Sequence, residues 1–148
     1  MTTLPNGYYA AIDPTNPDTV TYWRSRAGIV SVWPKNARYG PARPLKRDAP
    51  SDRDELIAWL EKWNAGYVKW LQAVHAVIDQ DPAAARRKFA ELSTRCCVCG
   101  RPLRDDRSKV LGVGPDCREG LSEDMLAQLV TPAIAAAHAA RLAAAEGA

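Results

Sequence analysis

The sequence predicts an α+β protein: an N-terminal antiparallel three-stranded sheet packed on a long helix, then a cysteine-bearing module and C-terminal helices. Three observations carry this. Apolar and polar residues alternate in the first third; apolar residues recur every three or four positions from Leu56 to Ile78; and Cys96-x-x-Cys99 is followed by Cys117.

The first strand is Gly7-Tyr-Tyr-Ala-Ala-Ile12, ended by the turn-rich Asp13-Pro-Thr-Asn-Pro-Asp18. From Thr19 to Ser25, Val20, Tyr22 and Arg24 point one way and Thr21, Trp23 and Ser25 the other. Ala27-Gly28 reads as a tight turn into a third strand, Ile29-Val-Ser-Val-Trp33, so a meander is the simplest pairing. Such a sheet is marginal alone and needs a helix against it. The following stretch to Pro50 is a linker with Pro34, Pro41, Pro44 and Pro50; from Lys35 to Arg47 it has five basic residues and no acid.

Ser51 is an N-cap candidate, with Asp52, Asp54 and Glu55 where a helix dipole favours negative charge. Leu56, Leu60, Trp63, Tyr67, Leu71, Val74 and Ile78 then share one face, and Gly66 marks a weak middle where a kink is expected. Of the aromatic residues here, Trp63 and Tyr67 should meet the sheet, while Trp59 and Trp70 sit off the centre and are candidates for a partner surface. Asp81-Pro82 restarts a shorter helix to about Leu92, as N-cap and N1. Ser122 and Thr131-Pro132 look like two further helix starts, the second leading into an Ala-rich tail. The units are then residues 1–50, the β-rich part with its basic loop; 51–93, helical; 94–121, the cysteine module; and 122–148, C-terminal helices.

Composition narrows the classes. Hydrophobic residues at 47% and charged residues at 25% are globular values, and a net charge of +3 is too small to argue for nucleic acid by itself. The start, Met1-Thr-Thr-Leu-Pro, has no signal-peptide character, and no run of about 18 apolar residues exists to span a bilayer. A cytoplasmic protein without membrane contact is expected. In that compartment four cysteines read as metal ligands before disulfides.

Cys96-x-x-Cys99-Gly100 has knuckle spacing: two thiolates can face one ion, and the glycine permits the left-handed backbone that closes the turn. Arg101 to Val113 is long enough for a β-hairpin. Gly112-Val-Gly-Pro115 then turns the chain into a helix that delivers Cys117 from its N-terminus, where the dipole helps a thiolate. Knuckle, hairpin and helix-borne ligand describe a treble-clef-like zinc module holding one zinc ion per chain on Cys96, Cys99 and Cys117. Metal is preferred over buried, reduced core cysteines, over an iron–sulfur cluster and over a redox Cys-x-x-Cys, whose strand-then-helix context is missing.

The segment resembles a small domain of unknown function found mainly in actinobacterial and bacteriophage proteins, with the pattern Cys-x-x-Cys-Gly-Arg-x-Leu, an acidic stretch with Ser, then Gly-x-Gly-Pro-x-Cys. Cys96, Cys99, Gly100, Arg101, Leu103, Asp105, Ser108, Gly112, Gly114, Pro115 and Cys117 match it. Asp81-Pro-Ala-Ala-Ala85 with Phe89, and the Gly-Tyr-Tyr strand, are similar to elements that often precede that motif. The resemblance implies zinc binding and a nucleic-acid or protein contact, and no established reaction. One departure matters: treble clefs usually take a fourth ligand three residues after the third, and here Gly120 stands there. Cys97, Asp116, Glu119, His75 or water are the candidates.

A three-cysteine site with water would leave an open position, as in catalytic zinc, but no paired general base accompanies it. The expectation is therefore a binding module, not an enzyme, with a zinc-dependent hydrolase the minor alternative and no small-molecule substrate. Lys35, Arg38, Arg43, Lys46, Arg47, Arg101, Arg104, Arg107 and Lys109 are candidates for a surface that holds phosphates, set against a merely solvated exterior. Arg86, Arg87, Lys88, Arg95 and Arg118 extend the same set, and Arg101 has a second reading, donating to a thiolate or an Asp. The alternative is a protein-binding factor that uses exposed aromatics.

Overall fold

The computed structural model describes residues 3–122 and, beyond them, Asp124, Leu126, Ala140, Ala143, Ala144, Glu146 and Gly147. The helix starts read at Ser122 and Thr131-Pro132 lead into residues that lie outside the described ones.

The sheet is the expected antiparallel meander: β1 (Gly7–Asp13), β2 (Asn16–Arg26) and β3 (Ile29–Val32), in the order β1-β2-β3. Register runs from Gly7↔Ser25 to Ile12↔Val20 between β1 and β2, and from Trp23↔Val32 to Arg26↔Ile29 between β2 and β3. Helix α1 (Arg53–Gln80) follows the Pro-rich loop, and α2 (Pro82–Ser93) follows α1 directly. Asp81 caps α2 through its carboxylate, which accepts from the Ala84 N–H at 3.0 Å, with Pro82 in the first turn. The N-cap of α1 is Asp52 rather than Ser51: its carboxylate reaches the Glu55 N–H at 3.1 Å and takes the capping role from the hydroxyl one residue earlier. α1 runs unbroken through Gly66.

Both faces of the sheet are covered, which a count of strands and helices does not reveal. Because side chains alternate along a strand, Tyr9, Ala11 and Trp23 lie on one face with Trp70, Val74 and Ile78 of α1. Tyr8 and Ala10 lie on the other, with Phe89 and Ala90 of α2 and with Cys96, Cys97, Leu103 and Val113. The cysteine segment is therefore part of the second core. It is also stitched to the free edge of β1, where the Tyr8 N–H donates to the Cys97 carbonyl at 2.7 Å.

Two aromatic expectations change. Trp70, read as a partner-surface candidate, is 4% exposed, and its indole N–H donates to Asp13 Oδ1 at 3.0 Å. Burial pushes the Asp13 carboxyl up, but hydrogen bonds from Trp70 and Thr15 outweigh it and hold the group below its ordinary value. Tyr67 packs against the sheet-facing cluster as expected, whereas Trp63 does not reach it and stacks, half-buried, on Tyr67. The Pro-rich loop crosses Trp63 instead, and its indole N–H donates to the Ala42 carbonyl at 2.9 Å. The physical reason is reach: at about 1.5 Å per residue the 28-residue helix is about 42 Å long, and only its second half lies on the sheet.

Candidate metal centre

After α2, Thr94 takes a left-handed conformation that ends the helix. A single antiparallel bridge, Arg95↔Pro102, then closes a narrow loop. Inside it the Cys96 N–H donates to the Arg101 carbonyl and the Gly100 N–H to the Cys96 carbonyl, each at 2.8 Å. Gly100 has φ +77°, and a β-carbon there would lie 2.7 Å from the Tyr8 ring. Gly100→Ala therefore combines left-handed strain with overpacking and should cost roughly 2–4 kcal/mol in denaturant unfolding. Gly66→Ala is the control, since nothing lies within 4 Å and alanine favours a helix interior; it should stabilise by about 0.5–1 kcal/mol.

The expected hairpin between Arg101 and Val113 is replaced by a short helix, α3 (Asp106–Leu111). Asp105 nucleates it: its carboxylate accepts from the Ser108 N–H at 2.9 Å and from the Ser108 hydroxyl at 2.6 Å. Gly112, left-handed at φ +73°, ends it. This capping pair satisfies the free N–H groups of a helix start more cheaply than two strands with no partner sheet. α4 (Pro115–Glu119) follows and carries Cys117 in its first turn. Arg118 joins the two short helices, donating to Ser108 Oγ at 2.9 Å and to the Val113 carbonyl at 2.8 Å. Sequence reasoning placed Arg118 on the basic surface; no local signal distinguishes a brace from a solvated arginine.

The result is a cluster in which the sulfurs of Cys96, Cys99 and Cys117 lie within 4.8 Å of one another. Cys96 is buried, Cys117 half-buried and Cys99 exposed. Burial pushes the Cys96 thiol up, but N–H groups of Cys99, Gly114 and Val98 aimed at its sulfur outweigh this and hold it below the ordinary value. Val98 N lies 3.4 Å from that sulfur. The Cys117 thiol is pushed up to about 12, first by burial and then by Cys99 and Cys96 beside it. The neighbouring sulfurs thus disfavour the Cys117 thiolate, and a dication held between them would reverse that balance.

Cys97 is outside the cluster. It is 1% exposed in the sheet-facing core, and its thiol is pushed up to about 12 by burial, with Arg86 pulling the other way. The core packs around Cys97 while the knuckle turns Cys96 toward Cys99. Arg86 itself is buried rather than part of a basic surface: it donates to the Asn6 carbonyl and lies over the Tyr9 ring at 5.4 Å. Arg95 is likewise engaged, with the Gly100 carbonyl at 2.9 Å and the Trp33 ring.

A cavity of about 310 Å³ adjoins the cluster, and Arg101, Leu103 and Asp116 line it together with the three cysteines. Arg101 pairs with Asp116 at 3.8 Å, both largely exposed. His75 stands elsewhere, edge-on to Trp23 in the α1-facing core, where burial lowers its pKa although Asp79 raises it. Among the described residues the metal-competent group is thus Cys96, Cys99 and Cys117, and Asp116 is the one carboxylate lining the adjoining cavity.

The basic candidates fall into separate groups. Lys35, Arg38 and Arg43 line a cavity beside α1, and Lys46 and Arg47 follow in an exposed 3-10 turn. Arg101, Arg104, Arg107 and Lys109 are exposed on the cysteine segment, which packs on the other face of the sheet. The structure does not join them into one surface.

Fold and site together define an α+β protein whose sheet carries, on one face, a three-cysteine cluster able to hold a metal ion. Residues 86–122 match the model of a family of unknown function, DUF6011, so the resemblance read from Cys96 to Cys117 is borne out. The match takes in most of α2, the knuckle, α3 and α4. No curated protein and no solved structure matches the chain. No helix of the described residues is long and apolar enough to cross a membrane.

Proposed function

We propose that Cys96, Cys99 and Cys117 bind one structural zinc ion, and that the module so held belongs to a non-enzymatic protein that contacts nucleic acid through exposed basic residues. The sulfur cluster within 4.8 Å carries the metal part. An all-thiolate donor set suits zinc, and four-cysteine iron–sulfur ligation would require Cys97, which the core engages. Asp116 or water completes the coordination. The lining holds no histidine and one carboxylate, Asp116, which is also the candidate ligand, so no paired general acid and base stands beside the cluster. Reduced thiols of this kind suit the cytoplasm. A protein-binding role is the second reading, favoured by Ile57, Leu60 and Val68, which are 40–46% exposed on α1.

Metal analysis of purified protein should find one zinc per chain, lost in Cys99→Ser and Cys117→Ser and kept in Cys97→Ser. Labelled DNA and RNA should bind at low salt with affinity falling steeply as salt rises, and charge reversal at Arg43, Lys46 and Arg47 should weaken binding. A metal-free protein with an intact fold removes the first half of the proposal; no binding to any nucleic acid at low salt removes the second.

A further inference from the structure

We infer that the cavity between the Pro-rich loop and α1 seats single-stranded nucleic acid, with bases against Trp63 and Tyr67 and phosphates on Lys35, Arg38 and Arg43. The inference rests on the nucleic-acid reading above and narrows it to one site and one strand form. The cavity has a volume of about 380 Å³, and those five residues line it without a carboxylate among the lining. The three cations come from a loop that has no acidic residue between Lys35 and Arg47. From the helix side come two rings, 5.4 Å between centroids and 18° from parallel.

Trp63 is held in place by its indole hydrogen bond to the Ala42 carbonyl. That bond uses the ring's one polar atom, so what it can offer a ligand is its π face. Neither ring reaches the buried core in full; both remain half-buried, although Tyr67 touches the edge of the Trp70 cluster. A second cavity, of about 670 Å³, shares Arg38, Tyr39, Gly40 and Pro41 with the first. It adds Lys69, while its one carboxylate, Asp13, is occupied by Trp70 and Thr15. A phosphate chain leaving the first cavity past Arg38 therefore meets another cation.

Charge alone would also suit an acidic peptide. The rings decide between them, because stacking on aromatic side chains beside a positive groove is how unpaired bases are held, and every base has a π face to offer. In a duplex those faces are covered by neighbouring pairs. The seat is on the α1 side of the sheet, away from the cysteine cluster, so it is a site separate from the metal.

The test uses the zinc-loaded full chain, an oligothymidine of about 12 nucleotides, a duplex of the same length and poly-glutamate as competitor. The single strand should bind more tightly than the duplex. Three phosphate contacts predict a log–log salt slope of about −2, which is about a 15-fold to 20-fold loss between about 50 and 200 mM salt. Arg38→Gln with Arg43→Gln should flatten that slope, and Trp63→Leu should weaken binding by between about 5-fold and 150-fold without changing the slope. Arg104→Gln with Arg107→Gln should leave both unchanged. Unchanged circular dichroism and melting temperature in the loop variant keep its result interpretable.

Equal affinity for duplex and single strand, or a loss that follows Arg104 and Arg107 instead, overturns the seat while leaving nucleic-acid binding intact. Displacement by poly-glutamate with no effect of Trp63→Leu assigns the cavity to acidic protein and also overturns it. If neither nucleic acid binds at low salt, the broader reading fails and this inference with it.

Discussion

With zinc on the cysteine cluster as proposed, stripping it from the folded chain should lower the melting temperature by at least about 10 °C, and residues 94–122 should lose amide protection first. The segment has two helices of six and five residues and a single bridged pair, far too little repetitive structure to persist unaided. Its apolar contribution is small, chiefly Leu103 and Val113, and these serve a core shared with Tyr8 and Phe89. Structural zinc sites supply about 10–16 kcal/mol of apparent binding free energy, which becomes folding free energy when the apo segment is unfolded. The α1-facing core around Trp23, Trp70, Val74 and Ile78 contains no cysteine. Amides of α1 beyond Trp70 should therefore stay protected after chelation while those of the knuckle exchange. Cys99→Ser should reproduce the chelated state. A chelated protein with verified loss of zinc and an unchanged melting temperature would contradict the structural role.

The second large effect is expected at Phe89. It is 0% exposed, and its ring stands 5.1 Å from that of Tyr8, 5.3 Å from Trp33 and 5.9 Å from Tyr22. Phe89→Ala should cost about 3–5 kcal/mol in urea unfolding, because the cavity is lined by rings that cannot collapse into it. For a domain stable by about 5–15 kcal/mol that is a large share. Cys96 and Cys97 belong to the same cluster, so the substitution should also weaken the proposed zinc binding in a chelator competition. Leu92→Ala, one turn along the same helix at a side chain 51% exposed, should change stability by no more than about 0.5 kcal/mol. A Phe89→Ala cost below about 1 kcal/mol would mean that α2 is not a wall of this core.

How much of this was legible in the sequence varies with the range of the force involved. The three strands, the Ala27-Gly28 turn and the Asp81-Pro82 helix start were readable because alternation, turn chemistry and capping act over a few residues. The trio Cys96, Cys99 and Cys117 was readable for the same reason, as ligand spacing and the left-handed Gly100 are local demands. Where two local signals compete, spacing does not say which prevails. Between Arg101 and Val113 the length allowed a hairpin, but Asp105 and Ser108 form a capping pair and Gly112 a helix stop, and those prevailed. At Ser51-Asp52 the carboxylate one residue later took the cap.

Other features had no local signal. Arg86 and Arg118 look like solvated cations, yet one lies under β1 and the other braces α3 to α4. Trp70 is off the centre of its helix face by spacing, and it is buried because it packs against Trp23 of β2, with Asp13, 57 residues away, accepting its N–H.

The cysteine cluster shows the division most clearly. The α+β class, the order of elements and the three cysteines that meet all follow from spacing along the chain. That Cys97 turns into the core, that the cysteine segment closes the second face of the sheet, and that the basic residues divide between its two sides emerge from the packed fold alone. Those outcomes depend on which apolar faces remain uncovered once the strands and helices have formed, and burying them is settled by long-range packing.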